Sequence, residues 1–247
     1  MRVVLLIGVV VFGLGCPRQP AAPARAPAPA APTRGEIAGV PYLELMTGGA
    51  GAEERVPMII ALHPMGGDPA ALVPLLAGYP GRARLIFPYG HPRGGAWFWL
   101  DSPREDVAAA VVKQETNRLV AAVTALVAAR PTVGKPLVAG FSQGGVMAFS
   151  IAVTHPQAIA GAFPLSGLLP RTLYPAALTS ASLPPVIAFH GADDLAVPVT
   201  SARDSVAELR RAGYATELHE YAGLAHDTSP EELRDFLERL KRAADAL

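Results

Sequence analysis

From about residue 34 onward, short apolar runs alternate with longer amphipathic segments, and most of the runs end near glycine or proline. A short apolar run bounded by turn residues predicts a buried strand, whereas apolar residues three or four positions apart predict a helix. The predicted strands span residues 40–46 (an edge strand), 56–62, 83–87, 136–139, 161–165, 186–190 and 216–221. The predicted helices span residues 103–130, 144–154 and 200–212, and a last helix follows the cap at Ser229.

Strands that alternate with helices predict a three-layer α/β fold, in which a mostly parallel central sheet carries helices on both faces. No insertion long enough to form a large lid interrupts the pattern. Ligands bind such folds at the carboxyl ends of the strands. The residues that follow each predicted strand are therefore the first candidates for a functional site.

The charge balance excludes one class of partner. The charges of the 21 basic and 21 acidic residues cancel, so the chain lacks the net positive charge that would indicate binding to nucleic acid. About two hundred residues remain after the N-terminal leader, which is enough for one domain with a full core. The sequence has no CxxC or HExxH pattern, so its motifs predict no metal site.

The N-terminus has the pattern of a bacterial export signal. Met1 and Arg2 precede an apolar run over residues 3–14, which is too short to span a bilayer comfortably. The run ends at Cys16, the single cysteine of the chain, directly after the small residue Gly15. This arrangement resembles a lipobox, in which the cysteine is lipidated and becomes the mature N-terminus. The alternatives are an ordinary signal peptide and an uncleaved anchor.

Residues 17–35 consist largely of alanine and proline, a composition that favours an extended, semi-rigid spacer. We therefore expect three parts: a lipoprotein-type signal at 1–16, a tether at 17–35 and a folded catalytic domain at 36–247. Through Cys16 the chain would be anchored to a membrane of the bacterial cell envelope, facing the periplasm or the cell exterior. The alternative is a soluble secreted or periplasmic protein.

The segment Gly-Phe-Ser-Gln-Gly-Gly at residues 140–145 is the strongest chemical signal in the chain. It lies between a predicted buried strand and a predicted helix, which is the context of a nucleophile elbow. The glycines allow a strained turn and a close approach of helix to strand. We therefore predict that Ser142 is a nucleophile and that the backbone N–H of Gln143 is one of two oxyanion donors.

A serine nucleophile needs a histidine base, and that base needs a carboxylate partner; in this kind of fold they follow in the order Ser, Asp or Glu, His. His226 lies in a predicted loop after the last strand, whereas His219 lies within that strand, so we favour His226 as the base. Asp193 and Asp194 follow the strand at 186–190, and the spacing alone does not choose between them. The competing interpretation of each carboxylate is a solvated turn residue.

The second oxyanion donor is expected in the loop after the strand at 56–62, which reads His63-Pro64-Met65-Gly66-Gly67. Because proline has no N–H, the donor would be the amide of Met65. We interpret His63 as a structural residue of this loop. The aromatic residues Trp97, Phe98 and Trp99 are candidates for the wall of a substrate pocket, with aromatic core packing as the alternative.

These motifs, taken together, resemble the phospholipase/carboxylesterase family of α/β-hydrolases, which includes acyl-protein thioesterases. The resemblance covers about residues 36 to 246. It is carried by residues 62–66 (Leu-His-Pro-Met-Gly), 140–145, 166–170 (Ser-Gly-Leu-Leu-Pro), 190–198 (His-Gly-Ala-Asp-Asp-Leu-Ala-Val-Pro) and 223–226 (Gly-Leu-Ala-His). It implies Ser142 as nucleophile, Asp194 as acid, His226 as base, and the amides of Met65 and Gln143 as oxyanion donors. The chain departs from the family at Pro64, where glycine is usual, and in the later position of Asp68.

The function that this resemblance implies is hydrolysis of a small-molecule ester or thioester through an acyl-enzyme, without a metal or an organic cofactor. Two alternatives remain open from the sequence. One is a different activity of the same fold, such as that of a feruloyl esterase, a polyester depolymerase or a peptidase. The other is a non-catalytic envelope lipoprotein that uses the fold as a binding module.

Overall fold

The computed structural model describes residues 31–91, 95–98, 105–176 and 182–247. The eight strands of this part form one sheet in the order β1-β2-β4-β3-β5-β6-β7-β8. The strands are β1 (Thr33–Ile37), β2 (Val40–Met46), β3 (Val56–Leu62), β4 (Arg84–Pro88), β5 (Thr132–Phe141), β6 (Gly161–Leu165), β7 (Val186–Gly191) and β8 (Thr216–Tyr221). The helices are α1 (Val73–Ala77), α2 (Glu105–Ala129), α3 (Gln143–Thr154), α4 (Val199–Arg211) and α5 (Pro230–Asp245).

The sheet is mostly parallel, as the alternation of strands and helices predicts. Strands β3 to β8 pair in parallel with one another, and only β1 and β2 run antiparallel to their neighbours. The carboxyl ends of β3, β5, β7 and β8 therefore lie along one edge of the sheet. The loops that follow these four strands carry the candidate site residues.

Helices cover both faces of the sheet because the central strands are apolar on both sides. In β3, Met58 and Ile60 join one buried cluster, while their neighbours Ile59 and Ala61 join a second. The first cluster includes apolar residues of α2, α3 and α4, and the second includes those of α1 and α5. A continuous apolar strand buried on both faces is typical of a parallel sheet. The two clusters thus mark the two faces.

The amino-terminal edge of the sheet differs from the sequence-based prediction. Strand β2 is not an edge strand, because β1 pairs with it from Thr33 opposite Glu44 to Ile37 opposite Val40. The sheet therefore begins at Thr33, within the segment that composition alone assigns to the tether. Strand β1 is short and largely exposed, so its sequence carries no apolar pattern that would predict it.

Helix α5 shows how the sequence sets the bounds of an element. Its N-cap is Ser229, whose hydroxyl accepts a hydrogen bond from the backbone N–H of Glu232 at 3.1 Å, and Pro230 occupies the first turn. Phe236, Leu240 and Ala244 are four residues apart and are all buried, so one stripe of the helix packs on the sheet.

Several predictions fall on residues outside the described part of the chain. They are the export signal, Cys16 and most of the tether, together with Trp99 and the start of the helix predicted at residue 103. Within the described ranges, none of the helices has the length and the apolar character that crossing a membrane requires.

Candidate active site

Ser142 occupies a sharp turn between β5 and α3. Strand β5 ends at Phe141 and α3 begins at Gln143, so the turn consists of this one residue. Its φ is 55° and its ψ is −116°, a backbone conformation that residues other than glycine rarely adopt. The backbone N–H of Ser142 donates a hydrogen bond to the carbonyl of Leu165 at 2.9 Å, which ties the turn to the end of β6.

The glycines around Ser142 are required by close backbone contacts. A Cβ on Gly144 would collide with the carbonyl of Leu62, and a Cβ on Gly140 would collide with the carbonyl of Gly144. A Cβ on Gly145 would lie 2.6 Å from the carbonyl oxygen of Leu165. Helix α3 can therefore start directly against β3 and β6 only because these positions lack side chains.

The structure brings Ser142, His226 and Asp194 together in one chain of hydrogen bonds. The distance between His226 Nε2 and Ser142 Oγ is 2.8 Å, and that between His226 Nδ1 and Asp194 Oδ2 is 2.7 Å. The Asp194 side chain is fully buried, whereas the His226 side chain is 25% exposed. The three residues come from the loops after β5, β7 and β8. This arrangement can activate the serine hydroxyl, because a proton can pass from Ser142 to a histidine that a carboxylate orients.

Between the two candidate aspartates, Asp194 is the one that faces the histidine. Its Oδ1 accepts hydrogen bonds from the backbone N–H groups of Ala196 and Val197 at 2.9 and 2.8 Å. Burial alone would raise the pKa of the Asp194 carboxyl, but the hydrogen bonds from His226 and Val197 lower it below its usual value. Asp193 is exposed, so its side chain behaves as the solvated turn residue.

His219 lies away from Ser142. Its ring stacks on Phe189 with centroids 5.2 Å apart, and its Nε2 lies 2.9 Å from the carboxylate of Glu217 on the same strand. Asp227 is exposed, and its carboxylate accepts a hydrogen bond from the neighbouring Thr228 N–H at 2.7 Å. The position of His226 in the loop after β8 is therefore what separates it from the other histidine of this region.

His190, which the sequence analysis did not single out, lies behind Asp194. Its Nε2 donates a hydrogen bond to the carbonyl of Val197 at 2.8 Å and lies 3.4 Å from Asp194 Oδ2. The residue is 1% exposed, and burial lowers the pKa of its imidazole despite the neighbouring Val197 carbonyl and Asp194. His190 thus fixes Val197, and with it the loop that surrounds the Asp194 carboxylate. Its sequence signal is the His-Gly pair that ends β7.

The two expected oxyanion donors lie in different elements. Gln143 is the first residue of α3, where a backbone N–H has no partner within its own helix. Met65 is 60% exposed in the loop after β3. That loop is held by hydrogen bonds from Gly66 N–H to the carbonyl of Gly95 and from Gly67 N–H to that of Pro64, at 2.9 and 3.0 Å. Within the described residues, the N–H groups of Met65 and Gln143 make no hydrogen bond.

His63 is a structural residue of the same loop, as its position predicts. It is completely buried, and burial lowers the pKa of its imidazole, although the carbonyl of Pro64 acts in the opposite direction. Its Nδ1 lies 2.8 Å from the Pro64 carbonyl, and its Nε2 accepts a hydrogen bond from Gly90 N–H at 3.0 Å. Both ring nitrogens are therefore engaged, which leaves none to act as a base on substrate.

Trp97 connects the two elements that carry the expected oxyanion donors. Its indole N–H donates to the carbonyl of His63 at 2.7 Å. Its backbone N–H donates to the side-chain oxygen of Gln143 at 2.9 Å, and the side-chain nitrogen of Gln143 donates to the carbonyl of Phe98 at 2.9 Å. The side chain of Gln143 thus fixes residues 97 and 98 against the start of α3. The sequence gives no sign of this contact, because the partners are 46 and 45 residues apart.

An apolar groove of about 360 Å³ opens on the α2/α3/α4 face of the sheet. Phe98 lines it, whereas Trp97 is 1% exposed and packs on His63. Val146 also lines it, and its N–H donates to the carbonyl of Ser142 at 3.0 Å, so the groove begins within one helical turn of the serine. Beyond Leu169 the lining becomes polar at Arg171 and Asp204, which form an ion pair of 3.1 Å.

The described residues contain no group of three or more His, Cys, Asp or Glu side chains arranged to hold a metal ion.

Comparison with known proteins places these features in context. A family model described as Phospholipase/Carboxylesterase matches residues 51–243. A probable carboxylesterase SOBER1-like of Arabidopsis thaliana is 29% identical over 147 residues, which cover 55% of each chain. Acyl-protein thioesterase 1 of Kluyveromyces lactis is 30% identical over 112 residues, which cover 43% of this chain and 49% of the relative. The alignments thus span about half the length of these relatives.

Among solved structures, the carboxylesterase from Mesorhizobium loti superposes with a TM-score of 0.68 at 22% identity. The superposition covers 83% of this chain and 96% of that one. At this level of identity the likeness concerns the fold alone. Together with the eight-stranded, mostly parallel sheet, it confirms the expected α/β-hydrolase fold.

Proposed function

The chain belongs to the phospholipase/carboxylesterase family, and on that premise we propose that it is a serine hydrolase of carboxylic esters. Its nucleophile is Ser142, its base His226 and the orienting acid Asp194. The observation that carries the proposal is the hydrogen-bond chain through His226, whose two ring nitrogens lie 2.8 Å from Ser142 Oγ and 2.7 Å from Asp194 Oδ2. An imidazole held in this way can take the serine proton with one nitrogen while the carboxylate stabilises the cation that forms.

The reaction proceeds in two acyl-transfer steps. Ser142 Oγ attacks the carbonyl carbon while its proton moves to His226 Nε2, and the negative charge develops on the carbonyl oxygen. The backbone N–H groups of Met65 and Gln143 stabilise this oxyanion, and their lack of other partners among the described residues supports that role. His226 then protonates the leaving oxygen or sulfur. In the second step water, deprotonated by the same histidine, attacks the acyl-enzyme and releases the acid.

We assign the acyl group to the apolar groove that Phe98 and Val146 line, and we call it the acyl-side groove. It is lined mostly by apolar side chains and begins beside Ser142, so it favours an aliphatic or aromatic acyl group over a charged one. The named relatives include carboxylesterases and an acyl-protein thioesterase, so esters and thioesters are both substrates to be tested. No residue described here favours a feruloyl esterase, a depolymerase, a peptidase or a non-catalytic binding module.

We also propose that the domain is held in the bacterial cell envelope by a lipid on Cys16, with residues 17–32 as the spacer. The support is the apolar run before the cysteine and the alanine and proline that follow it. Metabolic labelling with an alkyne fatty acid tests this in cells that export the protein. We expect label on the native chain and its loss in Cys16→Ser; a native chain without label, recovered in the soluble fraction, would contradict the anchor.

The catalytic proposal is tested on the full chain with p-nitrophenyl esters of increasing acyl length and with a fluorophosphonate probe. Ser142→Ala is compared with Ser150→Ala, which removes a buried hydroxyl of α3 that has no partner among the described residues. We expect Ser142→Ala alone to lose both turnover and labelling. A folded native chain that neither turns over esters nor reacts with the probe would overturn the proposal.

A further inference from the structure

A second apolar groove lies on the opposite face of the sheet, between α1 and α5. Its inner end is a small hollow of about 40 Å³ that Phe141 and Thr228 line, and its outer part is an open hollow of about 560 Å³. Leu75 and Leu233 line both hollows, which therefore adjoin. We call this feature the α1/α5 groove. Of its apolar lining, Leu75 is 37% exposed, so a ligand can cover surface that the fold leaves open to solvent.

The inner end of the α1/α5 groove lies beside the proposed base. The ring of Phe141 contacts the ring of His226, with centroids 5.1 Å apart and planes inclined by 35°. Phe141 directly precedes Ser142, and Thr228 follows His226 by two residues. The groove therefore begins at Phe141, which is adjacent to the nucleophile in sequence and in contact with the base, on the side of α5.

The acyl-side groove begins at the same serine but on the other face. It is lined by Val112 of α2, which belongs to the buried cluster of that face, and by Val146 of α3, which packs against that cluster. The α1/α5 groove is lined by Leu76 of α1 and Phe236 of α5, which belong to the other cluster. A substrate with its carbonyl at Ser142 can thus extend one half into each groove.

The direction of proton transfer decides which groove lies on the side of the leaving group and which on the side of the acyl group. When the acyl–oxygen bond breaks, its electron pair stays on the leaving oxygen, which takes the proton that His226 Nε2 received from Ser142. The leaving group must therefore lie on the His226 side of the carbonyl carbon. The α1/α5 groove is lined by Phe141, whose ring contacts the His226 ring, so this groove lies on the side of the leaving group.

We propose that the α1/α5 groove binds the leaving alcohol or thiol of the substrate, and that this half of the substrate is apolar. Leucines and prolines make up most of the outer lining, and the charged residues Arg234, Glu238 and Lys241 alternate with Leu233 and Leu237 along α5. Binding of an alkyl chain in such a groove is favourable in proportion to the apolar surface that the chain buries. The substrate class is an ester or thioester with apolar groups on both sides of the carbonyl. This inference rests on the proposed function.

The test keeps the acyl group constant and varies the alcohol. The full chain hydrolyses ethyl, butyl and hexyl butyrate in a pH-stat, at concentrations below aggregation of the esters. We expect kcat/KM to rise about twofold or more for each added methylene, within the range that burial of a methylene allows. Leu75→Glu places a charge in the groove and should abolish the rise, and Leu75→Ala should reduce it.

Leu247→Glu is the matched control. Leu247 is also 37% exposed, but it lies against Gly134, near the start of β5 and at the end of the strand remote from Ser142. A rise with alcohol length that persists in Leu247→Glu and disappears in Leu75→Glu supports the groove. A native chain that hydrolyses all three esters equally well, or a rise that survives in Leu75→Glu, overturns the groove and leaves the proposed function standing. Absence of both hydrolysis and fluorophosphonate labelling overturns the two together.

Discussion

Trp97 donates its indole N–H to the carbonyl oxygen of His63 at 2.7 Å, and its ring stacks on the His63 imidazole with centroids 4.7 Å apart. His63 in turn begins the loop that carries Met65, while the backbone of Trp97 is bound by the side chain of Gln143. The two proposed oxyanion donors are therefore positioned relative to each other through a single tryptophan. Such support matters because an amide aids the reaction only when it points at the charge that develops.

Trp97→Phe is expected to lower kcat about tenfold and to change KM less than about twofold. The phenyl ring keeps the stacking on His63 but loses the hydrogen bond, which is worth on the order of 1 kcal/mol. The measurement is steady-state kinetics on p-nitrophenyl butyrate, together with the affinity for a trifluoromethyl ketone that mimics the tetrahedral intermediate. Weaker binding of this inhibitor should parallel the loss of kcat.

Tyr214→Phe is the matched control for Trp97→Phe, because it removes another buried donor, the hydroxyl that bonds the Ala152 carbonyl at 3.2 Å. It should leave kcat and inhibitor affinity unchanged. A Trp97→Phe variant with a raised KM and a normal kcat would show instead that the indole contacts substrate.

Asp194→Asn is expected to reduce kcat at least a thousandfold, since an amide can hold the His226 ring in the wrong tautomer and carries no charge to stabilise the imidazolium. Asp193→Asn is the adjacent control and removes a carboxylate that is exposed to solvent. Stopped-flow or steady-state ester hydrolysis distinguishes the two. Comparable losses in both variants would contradict the assignment of the acid to Asp194.

Gly144→Ala is expected to lower the free energy of unfolding by about 3 kcal/mol or more, or to prevent folding, because the new methyl group meets the backbone of Leu62. Backbone atoms of β3 cannot rotate away as a side chain can. Gly78→Ala is the control, since a Cβ there meets nothing within 4 Å and its φ is −80°. Urea denaturation of both variants gives the comparison; a Gly144→Ala chain of native stability would show that α3 can shift.

Glu232 makes the stability depend on pH. Burial raises the pKa of its carboxyl to about 7. The negative charge of Asp227 also raises this pKa, whereas a hydrogen bond from the backbone of Ser229 lowers it. The folded chain thus holds this proton more tightly than the unfolded chain. The free energy of unfolding therefore falls as the pH rises from the ordinary pKa of a glutamate toward 7. Above pH 7 the full cost of ionising the buried Glu232 carboxyl is present. A shift of this size corresponds to at most about 3 kcal/mol.

Glu232→Gln should remove this cost, so its melting temperature should exceed that of the native chain at pH 8 and converge with it at pH 4.5. The exposed neighbour Glu231→Gln is the control. Thermal unfolding followed by circular dichroism at the two pH values measures the difference. A gain that is equal at both pH values would mean that ionisation of Glu232 is not its source.

The sequence predicts the strands of this fold in proportion to their apolar character. Strand β3 begins and ends where the apolar run does, because both of its faces are buried. Strand β1 has no such pattern, since its place is fixed by backbone hydrogen bonds to β2 and not by side-chain burial. Helix α1 is only five residues long, too short for a helical period to be recognised.

The candidate site also contains residues that local sequence predicts and residues that it does not. Ser142 and His226 can be predicted from local motifs and their order in the chain. The choice of Asp194 over Asp193 depends on which side chain turns inward after β7, and spacing does not contain that information. His190, Trp97 and the side chain of Gln143 act through contacts between distant segments. Such contacts exist only once the sheet has formed.

The two grooves open on opposite faces of the sheet, and this gives the products separate routes. The alcohol can depart on the α1/α5 face while the acyl group still occupies the other. An alcohol that enters the vacated α1/α5 groove then meets the same carbonyl that water attacks, with His226 ready to take its proton. At high alcohol concentration the acyl-enzyme would therefore partition between hydrolysis and alcoholysis, and a longer alkyl chain would favour synthesis of a new ester over release of the acid.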